Sequence, residues 1–137
     1  MSDCPYCGAK EAFPYGLYVT SLTMGDVYLF HEQTHPGRCI LACKKNVNDM
    51  TDLSAEEIAA YFNDAAKLSK ALQDLYHPGK VNYGMYNDNG KHLHLHVVPK
   101  QEGGPEWGGV FAMNPDQVKW SAEKMKEEAA KIRKALD

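Results

Sequence analysis

The sequence predicts an α+β domain: a mostly antiparallel sheet of about five strands with two main helices on one face. Short apolar-rich runs are separated by turn residues, as strands of such a sheet require. Two longer stretches space their apolar residues three and four apart, as helices do. No repeat, linker or low-complexity tract divides the 137 residues, so residues 1–137 read as a single domain around one core.

Taken in order, residues 1–10 form a corner built on Cys4-Pro-Tyr-Cys7. Leu17 to Thr23 and Val27 to Glu32 are strand-like, with Met24-Gly25-Asp26 as the turn of a hairpin. Arg38 to Cys43 is a third strand, entered through His35-Pro36-Gly37. Ser54-Ala-Glu-Glu57 reads as a capping box and starts a helix whose stripe is Ile58, Tyr61, Phe62, Ala65, Leu68, Leu72 and Leu75. His77-Pro78-Gly79 stops it. Val81 to Tyr86 is a fourth strand, and Asn87-Asp-Asn-Gly90 turns the chain into a fifth, antiparallel to it. Asn114 as cap and Pro115 at the first position predict a C-terminal helix over 115–136. Val118, Ala122, Met125, Ala129, Ile132 and Leu136 give it a narrow seam for the sheet or for another chain.

The fifth strand carries the chemistry. Lys91-His-Leu-His-Leu-His-Val-Val-Pro-Lys100 sets His92, His94 and His96 on one strand face and Leu93, Leu95 and Val97 on the other. At about 3.3 Å of rise per residue the outer two histidines start roughly 13 Å apart, whereas a metal holds its nitrogens at about 2 Å, so one ion takes two neighbours but hardly three. A solvated polar face is the plain structural reading; it sits poorly with three of the chain's six histidines in register. Covalent catalysis remains: one imidazole attacks an electrophile while its neighbours set its tautomer and handle the leaving group's proton.

His92-Leu-His-Leu-His-Val-Val98 resembles the signature of the histidine-triad (HIT) superfamily, in a bacterial-type branch with an N-terminal Cys-x-x-Cys, and the resemblance runs roughly from Tyr28 to Pro115. It implies a HIT-like fold, a homodimer formed through a helix and a sheet edge, and a nucleotide substrate. It also implies that His94 attacks the α-phosphorus of a nucleoside phosphoramidate or dinucleoside polyphosphate, forming a nucleotidyl-histidine, while His92 and His96 orient it and assist the leaving group. Glu32 takes the position of an acidic residue that accepts from ribose hydroxyls, with Phe30 and Leu29 as walls for the base. Arg38 departs from the family pattern, which commonly has histidine there; arginine cannot act as a base but can clamp phosphate oxygens. The loop before the triad is shorter than in many relatives, leaving Asn87 or Asn89 as the amide donor. Lys91 and Lys100 flank the strand, and Trp107, within Gln101 to Phe111, lies in reach of a substrate or a partner subunit.

Cys4-Pro-Tyr-Cys7 lacks the preceding strand and following helix that a redox site needs. It resembles a zinc knuckle instead, and the family resemblance adds His92 as a third ligand, so Cys4, Cys7 and His92 form the expected metal set. The fourth family position falls on Asn46, a poor zinc ligand. Either His31, His35 or Cys43 takes that place, or the site is degenerate. The expected cofactor is thus at most a structural zinc, with none required for the chemistry. Cys39 and Cys43 share one strand face and read as core.

The net charge of -3 argues against a general nucleic-acid binder. The chain has no apolar run able to span a bilayer and no signal-peptide pattern at Met1-Ser-Asp-Cys4, so no membrane partner is expected. The expectation is a cytoplasmic protein with reduced cysteines. Three function classes follow: a nucleotide hydrolase or nucleotidyl transferase, a nucleotide-binding or sensing protein with little turnover, and a metal-dependent hydrolase using His92 and His94 as ligands.

Overall fold

The computed structural model describes residues 4–137. Five strands, β1 (Gly16–Ser21), β2 (Gly25–Phe30), β3 (Cys39–Cys43), β4 (Lys80–Gly84) and β5 (His94–Lys100), form one sheet in the order β1-β2-β3-β5-β4. Every pairing is antiparallel. Helices α1 (Ala55–Tyr76) and α2 (Ala122–Leu136) complete the predicted α+β architecture.

Strand alternation sorts the sheet into two faces. Val27, Leu29, Cys39, Leu41, Cys43, Leu95 and Val97 point to the main core, where Tyr61, Leu68 and Leu72 of α1 and Ile132 and Leu136 of α2 cover them. Cys39 and Cys43 are free thiols in this core, as their spacing predicts. The opposite face holds Tyr28, Phe30, Ile40 and Ala42, packed by Phe13 and Tyr6 of the N-terminal segment. His94 pairs with Ala42 and His96 with Ile40 across β3 and β5, which puts both imidazoles on this second face.

Helix α1 begins where the capping box predicts, with Ser54 accepting from Glu57 N–H and the Glu57 side chain accepting from Ser54 N–H. It ends at His77, whose left-handed φ of 49° precedes Pro78. Phe62 leaves the expected stripe and is exposed, while Asp64 joins the buried side. The Asp64 carboxylate accepts from the backbone N–H of Met24 at 2.6 Å and Gly25 at 2.9 Å, fastening α1 to the β1–β2 turn. Tyr61 reaches past it to donate to the Leu41 carbonyl at 2.6 Å.

Helix α2 starts at Ala122, not Pro115, with Ser121 as its cap. Asp116 has a left-handed φ of 54°, which a helix cannot accommodate. The preceding backbone is used elsewhere: Val118 accepts from Gln33 N–H at 2.7 Å, and Gln117 and Val118 donate to Glu32. Val118 is consequently exposed rather than part of the seam. At the entry to β3, Gly37 has a φ of 93°, and a Cβ there would lie 2.6 Å from the Tyr76 ring. Glycine is required at that point for the chain to turn and deliver Arg38 to the sheet.

No helix among the described residues is long and apolar enough to cross a membrane.

Candidate active site

His94 and His96 open onto a cavity of about 430 Å³ walled by Tyr6, Tyr15, Phe30, Ile40, Tyr86 and Met113, with His31, Asp88, Asn89 and Asn114 as polar lining. The rings are nearly inaccessible except through it, His94 and His96 being 6% and 3% exposed. His92 precedes β5 and faces a neighbouring polar cavity with Cys4, Asn46, Asn89 and Lys91. The triad therefore splits between two compartments that share Pro5, Asn89 and Gly90 as wall.

Hydrogen bonds assign each imidazole a tautomer. His94 Nδ1 lies 2.8 Å from the His92 carbonyl oxygen, which only accepts, so Nδ1 carries the proton and Nε2 the lone pair. His92 Nε2 donates to the Cys43 carbonyl at 2.7 Å, leaving its Nδ1 as an acceptor. His96 Nδ1 receives Arg38 Nη2 at 3.1 Å. Burial pushes the His94 pKa down, against the pull of its bond to the His92 carbonyl. Burial, with the Arg38 cation and then His94, pushes His96 down to about 3. Both rings are neutral at physiological pH, and a neutral imidazole with a free nitrogen lone pair is a nucleophile. Gly90 brings its backbone so close to His94 that a Cβ would lie 3.1 Å from Cε1, so a side chain there would crowd the ring.

The remaining predicted residues divide. Phe30 walls the cavity edge-on to His96, with ring centroids 5.5 Å apart. Glu32 is fully buried and outside the cavity lining: it accepts from Thr34 N–H and Oγ1 and from the N–H of Gln117 and Val118. Its carboxylate is filled by protein donors, contrary to the expectation of a free ribose acceptor, and the carboxylate in the cavity wall is Asp88. Burial alone would raise the Glu32 pKa, but the backbone donors of Val118, Thr34 and Gln117 outweigh it and hold it at about 2. Asn87 also stands outside the lining with its Oδ1 buried and unpartnered, and Asn89 takes the wall position instead.

Arg38 is completely buried, its guanidinium 4.3 Å from the centre of the Phe30 ring and 4.9 Å from that of Phe111. Besides His96 it donates to the carbonyls of Ala112 and Met113, both at 2.9 Å. Lys100, at the end of the triad strand, is buried and donates to the carbonyls of Glu106 and Gly109. His35 pairs with Glu106 at 2.6 Å, and Glu106 accepts from Ala112 N–H at 2.7 Å. Trp107 is partly exposed and lies over Gly79, away from the cavity.

The N-terminal corner closes on His92. Cys4 and Cys7 are joined as a disulfide, where reduced thiols were expected; a two-residue spacing brings their Cα atoms to 5.4 Å, within bridging range. Their sulfurs lie 3.5 and 3.7 Å from His92 Nδ1, which also faces Asn46 Oδ1 at 3.2 Å. Two sulfurs and an imidazole lone pair thus converge, three donors that fit zinc once the sulfurs are thiolates, with the weaker Asn46 amide oxygen beside them. Of the alternatives for the fourth place, His35 is engaged with Glu106, His31 lines the other cavity and Cys43 points its side chain into the core.

The profile of the HIT domain matches residues 25–103. The chain belongs to the HIT domain family. Solved structures of HIT proteins share its fold. A histidine triad protein from Bradyrhizobium japonicum superposes with a TM-score of 0.81 at 15% identity, covering 89% of this chain and 91% of that one. A zinc-bound histidine triad family protein from Mycobacterium smegmatis gives a TM-score of 0.70 at 20% identity over 98% and 94%. A diadenosine triphosphate hydrolase from Plasmodium falciparum gives 0.67 at 16% identity over 89% and 82%.

Sequence reading missed Tyr6, whose ring stacks on His94 with centroids 5.2 Å apart and also contacts His92. Its position inside Cys-x-x-Cys was the available signal: a corner that folds onto His92 delivers its central residues to the triad.

The Glu32 network has a pH signature in this HIT protein. Its folded pKa lies below the ordinary carboxylate value of 4.5, so its stabilisation is present above pH 4.5 and is lost as pH falls towards about 2. Glu32→Gln is expected to cost about 1–3 kcal/mol at pH 7 by urea unfolding, with the gap to wild type shrinking below pH 4.5. A gap that is absent at pH 7, or that widens on acidification, would contradict this assignment.

Proposed function

We propose that this HIT protein is a nucleotide hydrolase or nucleotidyl transferase acting at the α-phosphate of a nucleoside phosphoramidate or dinucleoside polyphosphate. The observation that carries the reading is His94: neutral, its proton held on Nδ1 by the His92 carbonyl, its ring at an aromatic-walled cavity. In this reading the Nε2 lone pair forms a bond to the α-phosphorus and the bond to the leaving group breaks with its electron pair. Water then displaces the imidazole, releasing the nucleoside monophosphate and passing a proton to solvent. Tyr15, Phe30 and Ile40 offer apolar surface for a base, and no metal is needed for the attack. His94→Ala is expected to abolish AMP release from adenosine phosphoramidate and diadenosine polyphosphates, and acid-free mass spectrometry of wild type should capture a nucleotidyl adduct on His94. Equal activity, or equal silence with measurable nucleotide affinity, would replace the enzyme with a nucleotide-binding protein.

The corner supports a structural zinc in the reduced protein, held by Cys4, Cys7 and His92 Nδ1 with Asn46 Oδ1 in the fourth place. Such an ion would cross-link the N-terminal segment to the start of β5, and so stabilise the wall that Tyr6 contributes. The reduced protein should bind about one equivalent of zinc, and chelation should lower its melting temperature. Failure to retain zinc, with an unchanged melting curve, excludes the site.

The family resemblance also implies a homodimer. Phe62 on α1 and Tyr83 on the edge strand β4 are exposed large rings, with Tyr83 donating to Ser69 of α1 at 2.7 Å, so helix and sheet edge form one surface. Sedimentation equilibrium should give twice the chain mass, reduced towards one by Phe62→Glu; a monomeric wild type removes the proposal.

A further inference from the structure

Arg38 takes no part in the chemistry proposed above, yet its guanidinium hydrogen-bonds a triad ring directly, and its geometry leaves His96 little choice. A guanidinium has donors and no acceptor. With Arg38 Nη2 at 3.1 Å, His96 Nδ1 must therefore accept, and the single proton of the neutral ring sits on Nε2. An imidazolium would set N–H against N–H. The guanidinium is fully buried and held in place: its carbon lies 4.3 Å from the centre of the Phe30 ring and 4.9 Å from that of Phe111, and Nη1 and Nη2 donate to the Ala112 and Met113 carbonyls at 2.9 Å.

Two consequences follow for a reaction at His94. His96 can give a hydrogen bond from Nε2 but cannot pass on that proton, because Nδ1 has no route to another and the product would be an imidazolate. His92 cannot substitute, since its own N–H is held by the Cys43 carbonyl. An amine departs from phosphorus only when protonated, whereas a phosphate oxygen departs as a stable anion.

We propose that Arg38 is a positioning residue that holds His96 as a neutral Nε2–H donor, and that the site consequently prefers nucleotide anhydrides, whose leaving group departs as a phosphate oxyanion, over amine-leaving phosphoramidates. The proposal rests on the α-phosphate reading above. In the favoured reaction the His94 Nε2–phosphorus bond forms, the phosphorus–oxygen bond breaks with its electron pair on the departing oxygen, and no proton is transferred from the triad. A phosphoramidate has to draw its proton from water or from Tyr6, Tyr15, Tyr86, His31 or Asp88, the other titratable groups of the cavity.

The experiment has two arms on the full chain. Nitrogen-15 histidine spectra of wild type are expected to show His96 with an unprotonated Nδ1 and a protonated Nε2; a proton on Nδ1 overturns the proposal without any variant. In the kinetic arm, kcat/KM is measured for a diadenosine polyphosphate and for adenosine 5′-phosphoramidate. Wild type should favour the anhydride, and Arg38→His, which supplies a ring able to accept and donate, should shift the ratio towards the phosphoramidate by about tenfold or more. Arg38→Lys keeps the cation and should keep the preference. A folded Arg38→His protein with an unchanged ratio, or a wild type preferring the phosphoramidate, overturns the proposal. No turnover of either substrate instead overturns the α-phosphate reading and the preference with it, while the His96 tautomer is still decided by its spectrum.

Discussion

The two-residue alternation of β5, held between β3 and β4, is the constraint on which the site depends. A strand buried on both faces has to satisfy two environments at once. Leu95 and Val97 complete the core beneath the helices, which forces His94 and His96 to the other face. There the N-terminal segment and the loop after β5 close over them, and burial keeps the rings neutral. The packing that stabilises the sheet thus also keeps both imidazoles neutral beside the cavity.

The outer wall of the site has almost no regular secondary structure, and it is held by charges turned inward. Arg38, Lys100 and Glu32 are each essentially buried; Arg38 and Lys100 bond backbone carbonyls of residues 106–113, and Glu32 divides its bonds between Thr34 and the N–H groups of Gln117 and Val118. Burying a charge this way is tolerable only where it is hydrogen-bonded, and all three are, although Arg38 Nε has no partner. Ties of this kind hold the segment that brings Met113 and Asn114 to the cavity and Phe111 against Arg38. Arg38 belongs to both systems, joining the loop carbonyls to His96.

His92 belongs to the triad by sequence and to the N-terminal corner by contact. Its backbone carbonyl orients His94, while its ring faces the two cysteines and Asn46. Tyr6, between those cysteines, stacks on His94 and lines its cavity, so the corner and the cavity wall are mechanically connected.

The α+β class, the five strands, helix α1 from Ser54 to His77 and the shared face of His94 and His96 were legible in the sequence, because periodicity and capping are local properties of a few neighbouring residues. Glu32, Lys100 and Arg38 were legible as charges but not in their roles, since a side chain's partner is set by which distant segment packs beside it. The start of α2 failed for the same reason: Asn114-Pro115 is a sound local start, but residues 117 and 118 gain more by bonding Glu32 and Gln33 across the fold. The sequence by itself determined that His94 and His96 share one face of β5 and that Leu95 and Val97 share the other. Only the tertiary structure decided which nitrogen of each histidine holds its proton, because that depends on single acceptors and donors at Cys43 and Arg38, and on the His92 carbonyl as β5 positions it.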